Sequence, residues 1–235
     1  LTMEFTKSLI KGKLVKRYKR FFADIEVNKK IVIAHCPNTG SMKGLLNINN
    51  EVWISKNDNP KRKLKYTLEI IKVKKNLVGV NTHLANKIVY HGLSNNLINE
   101  LNNNQNIKPE VFFNKETRFD FLVEKNNQKN FVEVKNVTLF REDKISEFPD
   151  AITSRGSKHL KTLIDATKKG YKSYIIFLVQ IQGMKYFKIA KDIDKEYYQN
   201  YLLAKKAGVK FLAYRCKIDP TKEIKIEKKL KIIDV

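Results

Sequence analysis

Cysteine and long apolar runs are both scarce in this chain of 235 residues. Only Cys36 and Cys216 occur, so no disulfide framework is implied, and without C-x-x-C spacing a structural zinc site is not expected. The longest apolar run, "YIIFLVQI" at 174–181, is far shorter than the roughly 20 residues that a membrane span needs, and no signal-peptide pattern is evident at the start. We therefore expect no membrane partner and a reducing, cytoplasmic location.

Acidic residues are also few. The chain has 24 Asp and Glu but 47 Lys and Arg, which gives a net charge of +23. Such a surface gains free energy when it displaces counterions from phosphates, so nucleic acid is the first candidate partner. Two alternatives stay open. Part of the charge can reflect an A/T-rich genome that favours Lys over Arg, or the charge can form a polybasic membrane patch, although it is spread over the whole chain.

The first third of the chain has an all-β pattern. Short alternating runs over residues 7–80 predict about five strands, and "PNTGSM" predicts a turn and a small helix after the third strand. This order matches the OB-fold, a barrel often used to bind nucleic acids, although another small β-barrel would give the same periodicity.

Two loops of this β region, "RYKR" at 17–20 and "NPKRKLKY" at 59–66, mix basic residues with tyrosines. Such loops can pair with phosphates while the rings stack on bases, or they can be ordinary solvated turns. The predicted DNA contacts here are Arg17, Tyr18, Lys19, Arg20, Lys61, Arg62 and Lys63.

The pattern changes after residue 84. Residues 83–106 have a helical pattern that ends in an asparagine-rich loop at 102–106, and the rest of the chain gives strands first and then alternating helices and strands. We expect two domains: an OB-like nucleic-acid-binding barrel at 1–84, and a mixed-sheet α/β domain at 85–235.

Charged residues interrupt two neighbouring strands of the second domain. Asp120 lies within "TRFDFLVE", and the next strand, "NFVEVKNVT" at 130–138, places Glu133 and Lys135 on one face, with Val132 and Val134 on the other. If the two strands form a hairpin, Asp120 lies near Glu133. Two carboxylates can hold Mg²⁺, or Mn²⁺, against a phosphate, and a lysine can offset developing charge. An Asp followed by Glu-x-Lys resembles the PD-(D/E)xK nucleases, whose domain fold is restriction-endonuclease-like.

Other interpretations of these residues remain open. Glu133 and Lys135 can form a solvated ion pair, and "EIK" at 223–225 is a second Glu-x-Lys string. Asp150 follows a proline, but its position after the Glu-x-Lys favours Asp120 as the first carboxylate. Gln180, on a later strand, can serve the site or be an ordinary polar residue at a strand end. Glu100 can be a further carboxylate or simply solvated.

The segment "FPDAITSRGSKHL" at 148–160 predicts an anion-binding helix start. Ser154 or Ser157 would cap the helix, and the free N–H groups of a helix N-terminus bind phosphate. Positive charge is unfavourable there unless an anion lies nearby. Three side chains would donate to that anion: Arg155, Lys158 and His159. His159 can equally be a structural hydrogen-bonding residue.

Several motifs of the chain together resemble the sugar fermentation stimulation proteins. They include "RYKRFFADIEV", "AHCPNTGSMKGL", "NPKRKLKYT", "VNTHLANKIV", "TRFDFLV", "VEVKNVTL", "FPDAITSRGSKHLKTL" and "AGVKFLAY". The resemblance implies an OB-like domain, a restriction-endonuclease-like domain, DNA binding without strong sequence preference, and a role in regulating the use of sugars, notably maltose. In this resemblance the three residues of the nuclease-like motif, an Asp followed by Glu-x-Lys, correspond to Asp120, Glu133 and Lys135. These three residues are called the triad.

Two functions are therefore expected from the sequence: a Mg²⁺-dependent nuclease, or a DNA-binding regulator on a nuclease fold that does not cut. Single- and double-stranded DNA are both possible partners. No helix-turn-helix signature is evident, which disfavours sequence-specific readout. The motif "HCPNTGSM" at 35–42 can bind an anion through backbone N–H groups or can simply close the barrel. A metal at His35 and Cys36 is not expected, because no further ligands have suitable spacing.

Overall fold

A computed structural model describes residues 4, 5 and 7–233 of the chain. Residues 1–3, 6, 234 and 235 lie outside the described part, so the outer ends of both expected domain ranges lie there too. Both cysteines are free and buried. In the part of the chain that the structure describes, no helix is long and apolar enough to cross a membrane.

The N-terminal part forms a closed barrel with one extra strand. Its strands are β1 (Ile10–Tyr18), β2 (Phe22–Val27), β3 (Lys30–His35), β4 (Glu51–Lys56), β5 (Tyr66–Val73) and β6 (Asn76–Gly79). They pair in the order β3-β2-β1-β4-β5-β6, and a parallel pairing of β3 with β5 closes the barrel. Alternate residues such as Leu14, Ile25 and Ile54 are fully buried inside it, as the period of a strand requires. The small helix expected after the third strand is absent from residues 36–50, which form turns instead.

The linking segment is less helical than its sequence pattern predicts. A 3-10 turn at Thr82–Leu84 leads into helix α1 (Ala85–Ser94), and a second 3-10 turn follows at Asn99–Leu101. Asn96, just after α1, has a left-handed φ of 56°, a conformation that asparagine tolerates better than most residues and that ends the helix. The asparagine-rich residues 102–105 form a loop, as expected, and the next strand begins at Asn106.

The second part is an α/β sandwich around a mixed sheet. Its elements are β7 (Asn106–Phe112), β8 (Arg118–Lys125), β9 (Gln128–Val137), β10 (Leu139–Glu142), β11 (Ile145–Phe148), α2 (Ser154–Lys168), β12 (Lys172–Val179), β13 (Tyr186–Ile189), α3 (Lys195–Lys206), β14 (Lys210–Asp219), β15 (Glu223–Lys229) and β16 (Lys231–Ile232). The main sheet has the order β15-β14-β12-β9-β8-β7, and a smaller sheet has the order β10-β11-β13-β16. The two-part architecture predicted from the sequence is confirmed.

Strand β9 divides the core of this second part. Val132 and Val134 pack into the apolar cluster that contains α1, whereas Phe131 and Val137 pack into the cluster that contains α2. Glu133 and Lys135 therefore point to the α2 side, between two apolar anchors. The alternation predicted from "NFVEVKNVT" holds along the whole strand.

Candidate active site

A cavity of about 400 Å³ lies between the barrel and the main sheet. Its walls include residues 38–40 from the barrel, Asn86 from α1, and Asp120, Glu133 and Lys135 from the main sheet. Glu147 from β11, Asp150 from the loop before α2 and Arg155 from α2 complete them. The hairpin of β8 and β9 pairs Phe121 with Val132, which places Asp120 beside Glu133. The three residues of the predicted triad therefore line one cavity.

Asp120 is held by two donors. Its Oδ1 accepts a hydrogen bond from Nδ2 of Asn86 at 2.8 Å, and its Oδ2 accepts the backbone N–H of Val134 at 2.7 Å. Burial, and then the nearby charge of Glu133, raise the pKa of Asp120 to about 6, against an ordinary value of 3.8. The carboxyl group is thus fixed in orientation and titrates close to neutral pH.

Glu133 is more deeply buried, with 4% of the residue exposed. Its Oε1 accepts a hydrogen bond from Nζ of Lys135 at 2.7 Å and also contacts Nδ1 of His159, on α2. Burial alone would raise the pKa of Glu133, but the charge of Lys135 and the hydrogen bond to His159 outweigh it, so the pKa lies below its usual value. The second oxygen, Oε2, is buried without a hydrogen-bond partner.

Lys135 and His159 form the basic side of this site. Nζ of Lys135 lies 3.4 Å from Nδ1 of His159, and the Lys135 side chain is 12% exposed. On the other side of the ring, Nε of Arg155 donates to Nε2 of His159 at 3.5 Å. His159 was predicted from the sequence as a DNA contact, and that stays a prediction; the structure places its ring against Glu133.

Helix α2 is capped by a different residue from the two predicted. The N-cap is Thr153, whose Oγ1 accepts the N–H of Gly156 at 3.0 Å, while Ser154 is the first helical residue and Ser157 is buried one turn further on. The capping prediction was therefore wrong in its residue. The predicted helix start in this segment is correct, because α2 begins at Ser154, and Arg155 in its first turn lines the cavity.

The motif at 35–42 joins the barrel to the second part of the chain. The hydroxyl of Ser41 donates to Oδ2 of Asp150 at 3.2 Å, and the backbone N–H of Met42 donates to the same oxygen at 3.3 Å. The N–H of Gly40 donates within its own loop, to Oδ1 of Asn38 at 2.9 Å. A Cβ on Gly40 would lie 2.6 Å from that Asp150 oxygen, so a larger residue here would displace the carboxylate from this position. Neither sequence-based interpretation of this motif anticipated the contact.

The site fits a hard divalent cation that needs few protein ligands. Among the described residues, no group of three or more His, Cys, Asp and Glu side chains is arranged to hold a metal ion. Mg²⁺ usually takes only one or two carboxylates and completes its shell with water and substrate phosphate. Asp120 and Glu133 meet that requirement, and the unpaired, buried Oε2 of Glu133 is an oxygen that such an ion would satisfy.

Comparisons with known proteins identify the family. The model described as "Sugar fermentation stimulation protein RE domain" matches residues 83–222, and the "SfsA N-terminal OB domain" model matches residues 15–80. The chain belongs to the sugar fermentation stimulation protein family. A family homolog from Pelagibacter ubique (strain HTCC1062) is 78% identical over 99% of this chain and 100% of its own length. A homolog from Marinomonas sp. (strain MWYL1) is 42% identical over 98% of this chain and 90% of its own length.

A solved structure supports the fold of this family member. It is described as Pyrococcus furiosus SfsA in complex with Ca²⁺, and it aligns over 100% of both chains with a TM-score of 0.89. At 24% sequence identity this likeness concerns the fold.

Two further carboxylate or amide candidates lie away from the cavity. Gln180 is fully buried against Gly79, and its Nε2 donates to Oδ1 of Asn136 at 2.6 Å, so Asn136 rather than Gln180 lines the cavity. Glu100 accepts a hydrogen bond from the hydroxyl of Tyr214 at 2.7 Å and pairs with Lys229. Glu100 therefore has a structural role at the edge of the sheet.

The loop at 17–20 lies beside the cavity. Nη2 of Arg17 donates to the carbonyl oxygens of Asn38 and Gly40, at 2.7 and 3.2 Å, so its guanidinium group holds the cavity wall in place. Tyr18 stacks on Phe22, with ring centroids 5.4 Å apart. Lys19 and Arg20 are exposed at the turn.

The remaining predicted DNA contacts differ in their exposure and in whether their charged groups bond to another residue of the chain. Lys61 and Lys63 are exposed, whereas Nη2 of Arg62 donates to Oγ1 of Thr67 at 2.7 Å and so lies against the barrel. Lys158 pairs with the exposed Glu116 at 2.9 Å. Lys61 and Lys63 are thus the side chains of this group best placed to meet a phosphate.

Sequence reasoning missed two residues of the site. Asn86 orients Asp120, and it lies in "VNTHLANKIV", a motif that carried the family resemblance without a role. Glu147 lines the cavity but is held by Arg141 in a bidentate ion pair, with both nitrogen to oxygen distances at 2.7 Å. One feature of the sequence indicates that Asn86 belongs to the site, which is its position as a polar side chain in the first turn of α1.

Proposed function

We propose that this chain binds DNA without strong sequence preference and hydrolyses its phosphodiester bonds with Mg²⁺. The observation that carries the proposal is the buried, unpaired Oε2 of Glu133 in a cavity that Asp120 and Lys135 also line. A site used only to bind a polyanion would gain nothing from two carboxylates, because they repel the phosphate backbone.

The metal ligands in this proposal are Asp120 and Glu133, with Mn²⁺ as an alternative to Mg²⁺. The Pyrococcus furiosus relative was solved with Ca²⁺, which is also a hard cation with a preference for oxygen ligands. When bound, the ion would polarise the phosphoryl group and lower the pKa of a coordinated water molecule.

The other side chains of the site prepare it for a phosphate. Asn86 and the backbone of Val134 fix the orientation of Asp120. Lys135 keeps Glu133 ionised and offers an ammonium group to the anionic substrate. Arg155 and His159, at the start of α2, add donors on the same side of the cavity.

DNA binding is supported by charge and by the position of the basic loops. The net charge is +23, and the 17–20 loop is tied to the cavity wall by Arg17. The OB domain belongs to a fold class that often binds nucleic acid. We propose that the protein acts on DNA in the cytoplasm, and that phosphate contacts rather than base readout dominate its affinity.

The test is a cleavage assay on single-stranded and double-stranded DNA with Mg²⁺, with Mn²⁺ and with a chelator. Cleavage that needs a divalent ion would support the nuclease. In parallel, the dissociation constant should rise steeply with salt and by similar factors for unrelated DNA sequences. A strong preference for one operator sequence would contradict the proposed mode of binding.

The second candidate is a regulator that binds DNA and does not cut it. It is favoured by the name of the relatives, which refers to stimulation of sugar fermentation. In this case the protein would bind DNA near genes for sugar use, notably maltose, and would show no cleavage on any substrate or metal. The same assay therefore separates the two candidates.

A further inference from the structure

A second cavity, of about 680 Å³, adjoins the candidate active site. Asp120 and Asn86 line both cavities, so the carboxylate of Asp120 lies at their junction. The second cavity is bounded by strand β4 of the barrel, by helix α1 and by the β7–β8 hairpin. Its volume lies within the range of small-ligand sites, which is about 300–1,000 Å³.

The walls of this second cavity are largely apolar and include aromatic rings. Its apolar residues are Phe5, Leu9, Leu84, Tyr90, Pro109 and Phe121. The rings of Tyr90 and Phe121 lie 6.2 Å apart at 38°. Phe121 is 2% exposed and forms part of the core, whereas Tyr90 is only partly buried, so Tyr90 keeps accessible surface that a ligand can contact.

The charges around this cavity disfavour an anion inside it. Glu69 lines the wall with both oxygens occupied, by the hydroxyl of Ser55 at 2.6 Å and by Nδ2 of Asn81 at 2.7 Å. Lys56 and Lys87 are exposed on its rim. A phosphate would therefore meet cations at the entrance and a carboxylate within, whereas an uncharged aromatic group suits the interior.

A third cavity, of about 500 Å³, lies on the other side of the active site. It shares Thr39, Gly40, Phe148 and Asp150 with the catalytic cavity and is lined by Arg17 and Arg20. The three cavities thus adjoin one another in a row between the barrel and the sheet, and this row is here called the channel. Arginines lie at one end, the carboxylates in the middle, and the apolar cavity at the other end.

We infer that the apolar cavity receives one nucleobase of single-stranded DNA, stacked on Tyr90, while the neighbouring phosphate lies at Asp120 and Glu133. This inference rests on the proposed function and narrows its substrate class. A base within a duplex is paired and stacked, so it enters only after extrusion, whereas a base of a single strand enters freely. Stacking on an aromatic side chain is tolerant of sequence, which agrees with binding through phosphates elsewhere in the channel.

The test measures binding rather than turnover, and uses the full chain with the substitution Glu133→Gln, in chelator. The probes are a single-stranded oligonucleotide of about 12 nucleotides with one 2-aminopurine, and the same strand annealed to its complement. In this background we expect the single strand to bind more tightly than the duplex. We also expect the 2-aminopurine fluorescence of the single strand to change on binding. Adding Tyr90→Ala should weaken single-strand binding by at least about fivefold and abolish the fluorescence change.

Two companion variants keep the result interpretable. Leu84→Trp narrows the cavity with another apolar side chain and should cause the same loss if Tyr90→Ala fails to fold. Tyr186→Ala, which removes a tyrosine that is 40% exposed and outside the channel, should leave binding unchanged. If DNA binds but neither Tyr90→Ala nor Leu84→Trp weakens it, the base site is wrong and the proposed function stands. If neither probe binds at all, the DNA-binding function itself is overturned.

Discussion

The carboxylate of Asp120 accepts the backbone N–H of Val134 at 2.7 Å, although the two residues belong to different strands of the hairpin. This bond replaces part of the regular ladder, because the N–H of Val134 bonds a side chain of β8 rather than a backbone carbonyl. It sets the position of Asp120 relative to Glu133, the residue before Val134. The geometry of the carboxylate pair is thus fixed by the main chain of β9.

Glu133→Gln should lower Mg²⁺-dependent cleavage by about 100-fold or more, because a neutral amide is a far poorer ligand for a hard cation. DNA binding should survive and become slightly tighter, since one charge that repels the backbone is gone. The matched control is Glu223→Gln, whose carboxylate also pairs with a lysine two residues on, Lys225, at 2.5 Å. Cleavage that persists in Glu133→Gln would indicate another site or a contaminant.

Lys135→Ala should reduce cleavage by about 100-fold and weaken DNA binding slightly, because an ammonium group near the phosphate is lost. It should also shift a pH profile. The charge of Lys135 helps to hold the pKa of Glu133 below its usual value, so without it the pKa rises. Divalent-ion binding, followed by calorimetry, should then fail at a higher pH than in the wild type; an unshifted profile would contradict this role for Lys135.

Asp120→Asn should stabilise the chain in chelator at pH 8, by at most about 3 kcal/mol. The folded chain holds the proton of Asp120 up to a pKa of about 6, against about 3.8 when unfolded, so the free energy of unfolding falls as the pH rises between these values. The gain from asparagine should therefore shrink towards pH 4. Urea unfolding across this range would measure it, and a gain independent of pH would contradict the assignment.

Asp219→Asn is the control for the Asp120→Asn series, because the pKa of Asp219 is shifted in the opposite direction. Hydrogen bonds from Thr221 hold the pKa of Asp219 below its usual value, so its charge stabilises the folded state above pH 4. Asp219 is only partly buried and the shift of its pKa comes from local hydrogen bonds, so Asp219→Asn should change stability little and never increase it.

Lys61→Ala combined with Lys63→Ala should weaken DNA binding and lower the slope of log affinity against log salt by about 2, if each lysine neutralises one phosphate. Both side chains are exposed on the 57–65 loop of the barrel. A pair of exposed lysines on β14, Lys210 and Lys217, provides the matched double-alanine control. An equal loss in both double variants would show only a general effect of charge.

The sequence predicted the features that depend on a local residue pattern. It missed the contacts between elements that are far apart in the chain. Alternation along β9 and the hairpin count brought Asp120 beside Glu133, because both follow from the period of a strand. The contact between Ser41 and Asp150 spans 109 positions of sequence, and no local periodicity encodes it. For the same reason neither the contact of His159 with Glu133 nor the role of Asn86 was predicted, although both residues were within recognised motifs.

The barrel and the second part of the chain are also joined backbone to backbone. Strand β6 meets residues 180–182 through the N–H of Gly79 to the carbonyl of Gln180 and the N–H of Gln182 to the carbonyl of Leu77, both at 2.9 Å. Together with the contact of Ser41 with Asp150, these bonds join the barrel to the second part of the chain at two separate places. The cavities between the two parts therefore have walls that are bonded to each other, and we expect a substrate to enter them without a closing movement of the barrel.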